Sequence, residues 1–348
     1  MSNTNKGGKS KFRLAASLIL IQKQASNDGY ELLMMKRSNG TSFKSVTVFP
    51  GGALDKADNL EFWKNFEFVK NITNEKEIKL TILKLTAIRE TFEEAGIFLS
   101  KPQISLSGAE VKEWREKLEK RPEGFMEMCK YYNVSPDIDS LYYVSHWIPP
   151  TVVNKKFSTF FFAYLAPNPV AFHPPNTKGS QRELTSLEYK TPSSWLKLQR
   201  DEVIFFPPQF YTCSVLANSF PTWSTIESHL KTPPVGEHKT MASIIQLIDE
   251  SKVDLKAFGI DPNNCDSVYY QIYPGDYQYN KDLDDVDYEP LLNNGKKLNQ
   301  NVRYHRILGI IEGLQLRDIK LITNLNVNRG RFLVYDDSSN ICSNKAKL

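Results

Sequence analysis

The clearest chemical signal in the 348-residue sequence is a run of four side chains, Arg89, Glu90, Glu93 and Glu94. At about 100° per residue on a helix, the three glutamates fall within an arc of about 100°. Carboxylates so close together repel one another, and a cation would remove that repulsion. Magnesium takes carboxylate oxygens gathered in one coordination sphere. A metal held there neutralises phosphates and activates a water for attack at phosphorus. A bare Glu-x-x-Glu-Glu is more often a solvated acidic helix face, so its neighbours carry the argument. Arg89 stands at the edge of the arc, where a bidentate contact can hold one carboxylate in place. Upstream, Gly51-Gly52 lets backbone approach a ligand closely and can offer the Gly52 carbonyl to a metal.

These groups need elements to position them. Ile78, Ile82, Leu85, Ile88, Phe92 and Ala95 recur at three- and four-residue intervals, which predicts a long amphipathic helix over about 74–98. Ile88, Phe92 and Ala95 lie opposite the glutamates and would bury against a sheet, and Gly96 is placed to end the helix. Strands are predicted over 12–23, 30–37, 45–49, 157–165 and 185–189, the first two joined by a hairpin-like Ser26-Asn27-Asp28-Gly29. Further helices are predicted over 108–120, from 192, from Pro207-Pro208 to about 218, and near 241–250. No internal repeat is present.

Composition narrows the function classes. The chain has 41% hydrophobic residues, enough for a packed core, and 44 basic against 40 acidic residues. A formal charge of +4 without a dense basic run gives no footprint for nucleic acid. Cys129, Cys213, Cys265 and Cys342 are scattered, with no Cys-x-x-Cys pair and no histidine pattern beside them. Neither a zinc site nor a disulfide framework is expected, and a reducing compartment is. No apolar stretch reaches the roughly 18 residues of a membrane span; residues 14–21 read as a buried strand. The chain ends Ala346-Lys347-Leu348, a conservative variant of the Ser-Lys-Leu peroxisomal address.

The run Arg89-Glu90-Thr91-Phe92-Glu93-Glu94-Ala95-Gly96-Ile97, with Gly52 upstream, resembles the signature of the Nudix hydrolases. That signature is Gly, five residues, Glu, seven residues, then Arg-Glu-apolar-x-Glu-Glu-x-Gly-apolar. Asp58 stands where the family has its first Glu, and Thr91 where an apolar residue is usual. Residues 59–88 replace the seven-residue spacer. Such an enlarged spacer is similar to that of the peroxisomal coenzyme A diphosphatases. So are Leu32-Leu33-Met34-Met35-Lys36-Arg37-Ser38 before Val48-Phe49-Pro50-Gly51-Gly52, and the strand Phe157-Ser158-Thr159-Phe160-Phe161-Phe162, with Ser158 in place of an Asp. Pro207-Pro208-Gln209-Phe210-Tyr211 and Tyr273-Pro274-Gly275-Asp276 match as well.

The resemblance implies an α/β Nudix fold, an α/β/α sandwich around a mixed β-sheet, with a large insertion inside the signature and a C-terminal extension. In this reading 1–11 is a disordered lead and 12–219 the hydrolase domain, with insertions at 59–80 and 101–145. Residues 220–340 form an extension packed on the core, and 341–348 an exposed tail. It implies hydrolysis of coenzyme A and acyl-coenzyme A at the diphosphate, with Gly52, Glu90, Glu93 and Glu94 holding Mg2+ or Mn2+. Arg89 would orient a carboxylate, and either Glu94 or Glu183 would be the general base. Arg37 is the first choice for the 3′-phosphate of coenzyme A, with Lys36 beside it; Arg182, Lys155 and Lys156 are weaker candidates. Phe43 is placed to stack on adenine. Trp63 and Phe66 could line an acyl pocket, although aromatics in an insertion more often pack it down. An import receptor would read Ala346, Lys347 and Leu348, taking the protein to the peroxisome matrix. Two other readings stay open: hydrolysis of another nucleoside diphosphate derivative (NADH, ADP-ribose or a capped nucleotide), and a binding module that keeps the fold without catalysis.

Overall fold

The computed structural model describes residues 12–37, 46–70, 72–121, 123–150, 157–173, 184–199, 202–232, 240–279, 289–292, 298–312 and 315–325. The chain opens with β1 (Arg13–Lys23), β2 (Tyr30–Arg37), β3 (Val46–Val48) and β4 (Gly51–Ala53). A 3-10 turn (Lys56–Asp58), the short helix α1 (Leu60–Trp63) and the long helix α2 (Glu75–Ala95) follow. Next come β5 (Ser100–Lys101), α3 (Gly108–Lys120), α4 (Gly124–Tyr131), β6 (Ser135–Pro136), β7 (Leu141–Ile148), β8 (Phe157–Ala166) and β9 (Leu184–Lys190). The chain continues through α5 (Pro192–Leu198), β10 (Ile204–Phe205), α6 (Pro207–Ser219) and α7 (Trp223–Lys231). Its last part holds β11 (Thr240–Ala242), β12 (Ile244–Ile248), β13 (Ser267–Ile272), α8 (Glu289–Leu292), β14 (His305–Glu312) and β15 (Gln315–Thr323).

The main sheet is mixed, in the order β10-β3-β2-β1-β8-β7-β11, with β4 paired to β1 and β9 to β2. Its two faces follow from strand alternation. Ala16 pairs with Gly52 and, on the other side, with Phe160. That row faces α2, because a Cβ built on Gly52 would lie 2.5 Å from Glu90 Cδ. Ile21 has the opposite parity on β1 and pairs with Leu32, so Leu32, Met34 and Lys36 face away from α2. On that second face the Trp195 indole of α5 donates to Leu32 O at 3.1 Å, and Tyr30 Oη donates to Phe220 O after α6 at 2.7 Å. Helices therefore cover both faces: an α/β/α sandwich.

Why α2 forms where it does is visible at both ends. The Asn74 side chain caps it by accepting from Glu77 N, and Glu75 and Glu77 complement the positive end of the helix dipole. Gly96 stops it in the left-handed conformation, φ 70°, with its N–H returned to Phe92 O. A Cβ at that position would be strained by φ and would also meet His173 O at 2.7 Å. The enlarged spacer packs down on this helix: Trp63 contacts Phe66, Phe68 and Phe125, and Phe125 in turn meets Phe92 and Phe98. Trp63 is 2% exposed. Trp63 belongs to the core and Phe66 packs half-buried against it.

Two sequence expectations change. Residues 241–250 are two strands, not a helix. β-Branched Ile244, Ile245 and Ile248 favour the pleated backbone, and burial alternates, with Gln246 and Ile248 inside and Ile245 and Leu247 outside. The chain leaves the main sheet after β11 and enters a second antiparallel sheet, β12-β13-β14-β15. Residues 141–148 are a strand of the main sheet, so the region after α2 that lies outside that sheet ends before 141. The remaining predicted elements agree with the observed ones to within two or three residues. The lead 1–11 and the tail 341–348 lie outside the described residues, and no described helix is long and apolar enough to cross a membrane.

The second sheet has its own core of residues such as Val268, Tyr270, Ile272 and Ile310, and it is clamped to the first through buried polar contacts. His305 hydrogen-bonds through Nε2 to Tyr211 Oη at 2.8 Å and through Nδ1 to Pro274 O at 2.6 Å. Tyr211, Tyr273 and Trp147 pack edge to face around it. Next to it Arg306 makes a bidentate pair with Asp276 at 2.8 and 2.6 Å, both side chains fully buried. The two motifs at 207–211 and 273–276 thus meet where α6 packs against the second sheet.

A second tie is His146 on β7. Its Nε2 lies 2.6 Å from Ser158 Oγ on β8 and its Nδ1 2.9 Å from Thr240 Oγ1 on β11, while its ring stacks on Phe160. Burial, helped by the nearby Lys79 charge, pushes its pKa from 6.5 down to about 4. The unfolded chain takes up this proton below about 6.5 and the folded chain only near 4. The stability contributed is therefore complete above pH 6.5 and is lost as pH falls through that window. Melting temperature should decline on acidification from 6.5 to 4, and the decline should be shallower in His146→Gln. Parallel curves for the two proteins would show that the folded state does not hold this imidazole neutral.

Candidate active site

The site is assembled around Arg89, which is 4% exposed. Its Nε donates to Asp58 Oδ1 at 2.8 Å and its Nη2 to Asp58 Oδ2 at 2.9 Å. Its Nη1 donates to Glu90 Oε1 at 2.9 Å and to Glu93 Oε1 at 2.8 Å. Asp58, 3% exposed, also accepts from Asp55 N and from Thr86 Oγ1, each at 2.9 Å. The Asp55 backbone is held by its own capping box with Asp58 over the 3-10 turn. The long spacer thus begins with a carboxylate locked onto the helix to which it later returns. The shorter Asp side chain reaches Arg89 in full.

Beside this web, Glu94 Oε2 accepts the Gly51 N–H at 2.8 Å. Glu90 presses against the backbone of Gly52, where any side chain would collide with its carboxylate. Thr91 is fully buried and returns its hydroxyl to Ala87 O at 2.7 Å, which makes a polar residue tolerable there.

Three carboxylates, Asp58, Glu90 and Glu93, surround a single guanidinium. Burial opposes the Arg89 charge, but the bonds and charges of Asp58, Glu90 and Glu93 outweigh it and raise its pKa. Burial likewise pushes the Glu90 carboxyl up; Arg89 pulls it down and Glu93 raises it further. The excess of negative charge is the condition that a hard divalent cation would relieve, and carboxylate oxygens are its preferred donors. The donor chemistry fits such an ion. Among the described residues no three acidic, thiol or imidazole side chains stand together as a ready-made metal cage. The glutamates are spread instead between Arg89 and the Gly51 backbone.

Lys36 lines a pocket of about 330 Å³ on the sheet face away from α2. Arg37 ends β2, its backbone paired with Leu184; its side chain lies outside the described residues, as do Phe43, Lys155, Lys156, Arg182 and Glu183. Sequence reasoning missed Thr86. Its only signal is an i−3 spacing to Arg89, which places it on the face that Asp58 approaches.

If Asp58 and Arg89 work as one unit, their substitutions should not add. A double-mutant cycle with Asp58→Asn and Arg89→Gln, read by chemical denaturation, should give about 0.5–3 kcal/mol of interaction energy. Strict additivity would show that the pair contributes nothing jointly to the fold.

Residues 73–216 match the family model of the NUDT19 Nudix domain. The match begins just before α2, so Gly51, Gly52 and Asp58 lie outside it, and the structure supplies their place beside Arg89. The chain is 24% identical over 372 residues to the acyl-coenzyme A diphosphatase NUDT19 of Homo sapiens, covering 88% of this chain and 93% of that protein. The protein of the same name from Xenopus laevis is 29% identical over 244 residues, covering 57% of this chain and 63% of that one. Among solved structures, a NUDIX hydrolase from Alicyclobacillus acidocaldarius superposes with a TM-score of 0.52 at 21% identity, covering 64% of this chain and 97% of the other. That likeness bears on the fold alone. Taken with the Arg89-centred carboxylates, these matches support a Nudix hydrolase that resembles the coenzyme A diphosphatase branch.

Proposed function

We propose that this chain hydrolyses the diphosphate of coenzyme A and acyl-coenzyme A, releasing adenosine 3′,5′-bisphosphate and (acyl-)4′-phosphopantetheine. The observation that carries the reading is the buried pairing of Arg89 with Asp58, Glu90 and Glu93 beside the Gly51-Gly52 backbone. The names of the relatives supply the substrate class.

In this reading Glu90, Glu93 and Glu94, with the Gly52 carbonyl, hold Mg2+ or Mn2+. Bound there, the ion would screen the diphosphate charge and make a water more acidic. The protein's part is positional. Arg89 fixes two of the carboxylates so that they need not reorganise during reaction. Gly52 lets phosphate and carboxylate approach the same stretch of backbone. Glu94, hydrogen-bonded to Gly51 N, is one choice for the base that takes the water's proton, and Glu183 is the other. Arg37, or Lys36 beside it, would meet the 3′-phosphate, and Phe43 the adenine. The closeness of Asp58 to Arg89 counts against a module without catalysis, since the departure from the usual Glu leaves the helix anchored.

A panel of coenzyme A, acyl-coenzyme A, NADH, ADP-ribose and a capped nucleotide, assayed with and without Mg2+, tests the substrate class. Coenzyme A compounds should be turned over fastest and only with metal. Glu94→Gln should lower turnover by on the order of 10²-fold, roughly 3 kcal/mol of barrier, while holding or raising thermal stability because repulsion is relieved. Wild-type rates from a folded Glu94→Gln protein would remove the assignment.

We extend the proposal to location: Ala346-Lys347-Leu348 is read as a peroxisomal address. Residues 341–348 fused behind an inert reporter should carry it into peroxisomes, and deleting the last three residues should disperse the protein without changing purified activity. A distribution indifferent to the deletion would reject the address.

A further inference from the structure

One pocket on the sheet face away from α2 has no part in the arrangement described so far. It lies between β2, β3 and β9 on one side and α5 with the segment that follows it on the other. Its volume, about 330 Å³, is at the small end of ligand sites, which run roughly 300–1,000 Å³. It admits one moiety and not a whole coenzyme. Met34, Trp195, Leu198 and Val203 give it apolar walls, and Trp195 is itself locked by its bond to Leu32 O.

A second observation points to a ligand. Thr47 pairs with Lys36 across β2 and β3, lines the pocket, and is 2% exposed. Its Oγ1 is buried with no hydrogen-bond partner. A buried hydroxyl left unpaired costs about 1–3 kcal/mol, so the position calls for an incoming partner.

Charge selects the class of that partner. Lys36 and Lys190 are matched by Glu188 and Glu202, and Lys190 already pairs with Glu188 at 2.5 Å. Two positive groups against two negative ones make a poor site for a bare phosphate. An acyl chain would desolvate four charges without repaying any of them. A neutral planar heterocycle carrying both donors and acceptors suits this lining: its ring nitrogen can accept from Thr47 Oγ1 and its amino group can donate to a carboxylate.

We infer that this pocket holds the adenine base of the substrate, an inference that rests on the coenzyme A reading above. The chain connects the two places. Thr47 and Gly51 are four residues apart, with a bend at Pro50 between them, so their backbones are at most about 13 Å apart at about 3.3 Å per residue. Ribose and a 5′-diphosphate bridge a comparable span, bringing the scissile bond toward Gly51 and Glu94.

The test is calorimetric titration of the full chain with adenosine 3′,5′-bisphosphate and, separately, with 4′-phosphopantetheine. Thr47→Val, close to isosteric, should weaken the adenosine compound roughly three- to tenfold and leave phosphopantetheine unchanged. Ser186→Trp, which fills the pocket from β9, should weaken the adenosine compound more than tenfold, and serves if Thr47→Val does not fold. Unchanged adenosine binding in both variants, with wild type still cleaving coenzyme A, would overturn the pocket assignment alone and leave a structural water as the partner of Thr47. Loss of phosphopantetheine instead would assign the pocket to the other end of the substrate. A wild-type protein that neither binds the adenosine compound nor cleaves coenzyme A would overturn both readings.

Discussion

The buried guanidinium of Arg89 is the constraint on which the site depends. A charge so deeply buried must be paired, and removing one partner from such a pair typically costs about 3–5 kcal/mol. Asp58 is that partner, held in turn by Asp55 N and Thr86 Oγ1. Because both Arg89 terminal nitrogens and its Nε are engaged, Glu90 and Glu93 are oriented as a consequence of keeping the arginine satisfied. Structure and proposed chemistry share the same hydrogen bonds. The carboxylates that would serve a cation are placed by a group whose own burial demands them.

Seen this way, the enlarged spacer is compatible with the signature because it is tied at both ends. Asp58 anchors its start, and the aromatic group of Trp63, Phe66, Phe68 and Phe125 fixes its body against Phe92 on the buried side of α2. Aromatic burial of this kind contributes through area and offset geometry. The C-terminal extension is tied in the same manner, with His305 bonded to Tyr211 of α6 where the two parts meet. Both additions therefore act as bracing for the α/β/α core and are packed into it.

Much of this was legible in the residues. The three- and four-residue spacing of apolar positions on α2 is dictated by burial of one face, and Gly96 is required by a left-handed cap, so both were readable locally. The motifs at 207–211 and 273–276 could be seen as matching a family, but their meeting where α6 packs against the second sheet is a long-range fact that no local pattern encodes. Residues 241–250 misled because Met241, Ile244, Ile245 and Ile248 fit a helical spacing as well as a strand. Pairing with β13 decided between them. Lys36 and Arg37 point to opposite faces of a strand, so only one of them was expected to reach the ligand, and Arg37 was preferred. The structure adds that Lys36 is the one on the face away from the glutamates, in a pocket whose orphaned Thr47 hydroxyl no sequence rule would single out.

In the proposed reaction a carboxylate cluster organised by Arg89 cleaves an anhydride bond between two phosphorus atoms. The most direct measurement is phosphorus NMR of coenzyme A incubated with the purified chain and Mg2+. The two coupled diphosphate resonances should disappear together and be replaced by two new phosphomonoester signals, while the 3′-phosphate signal persists. Diphosphate resonances that remain while only the 3′-phosphate signal changes, or while the thiol end alone is altered, would contradict it.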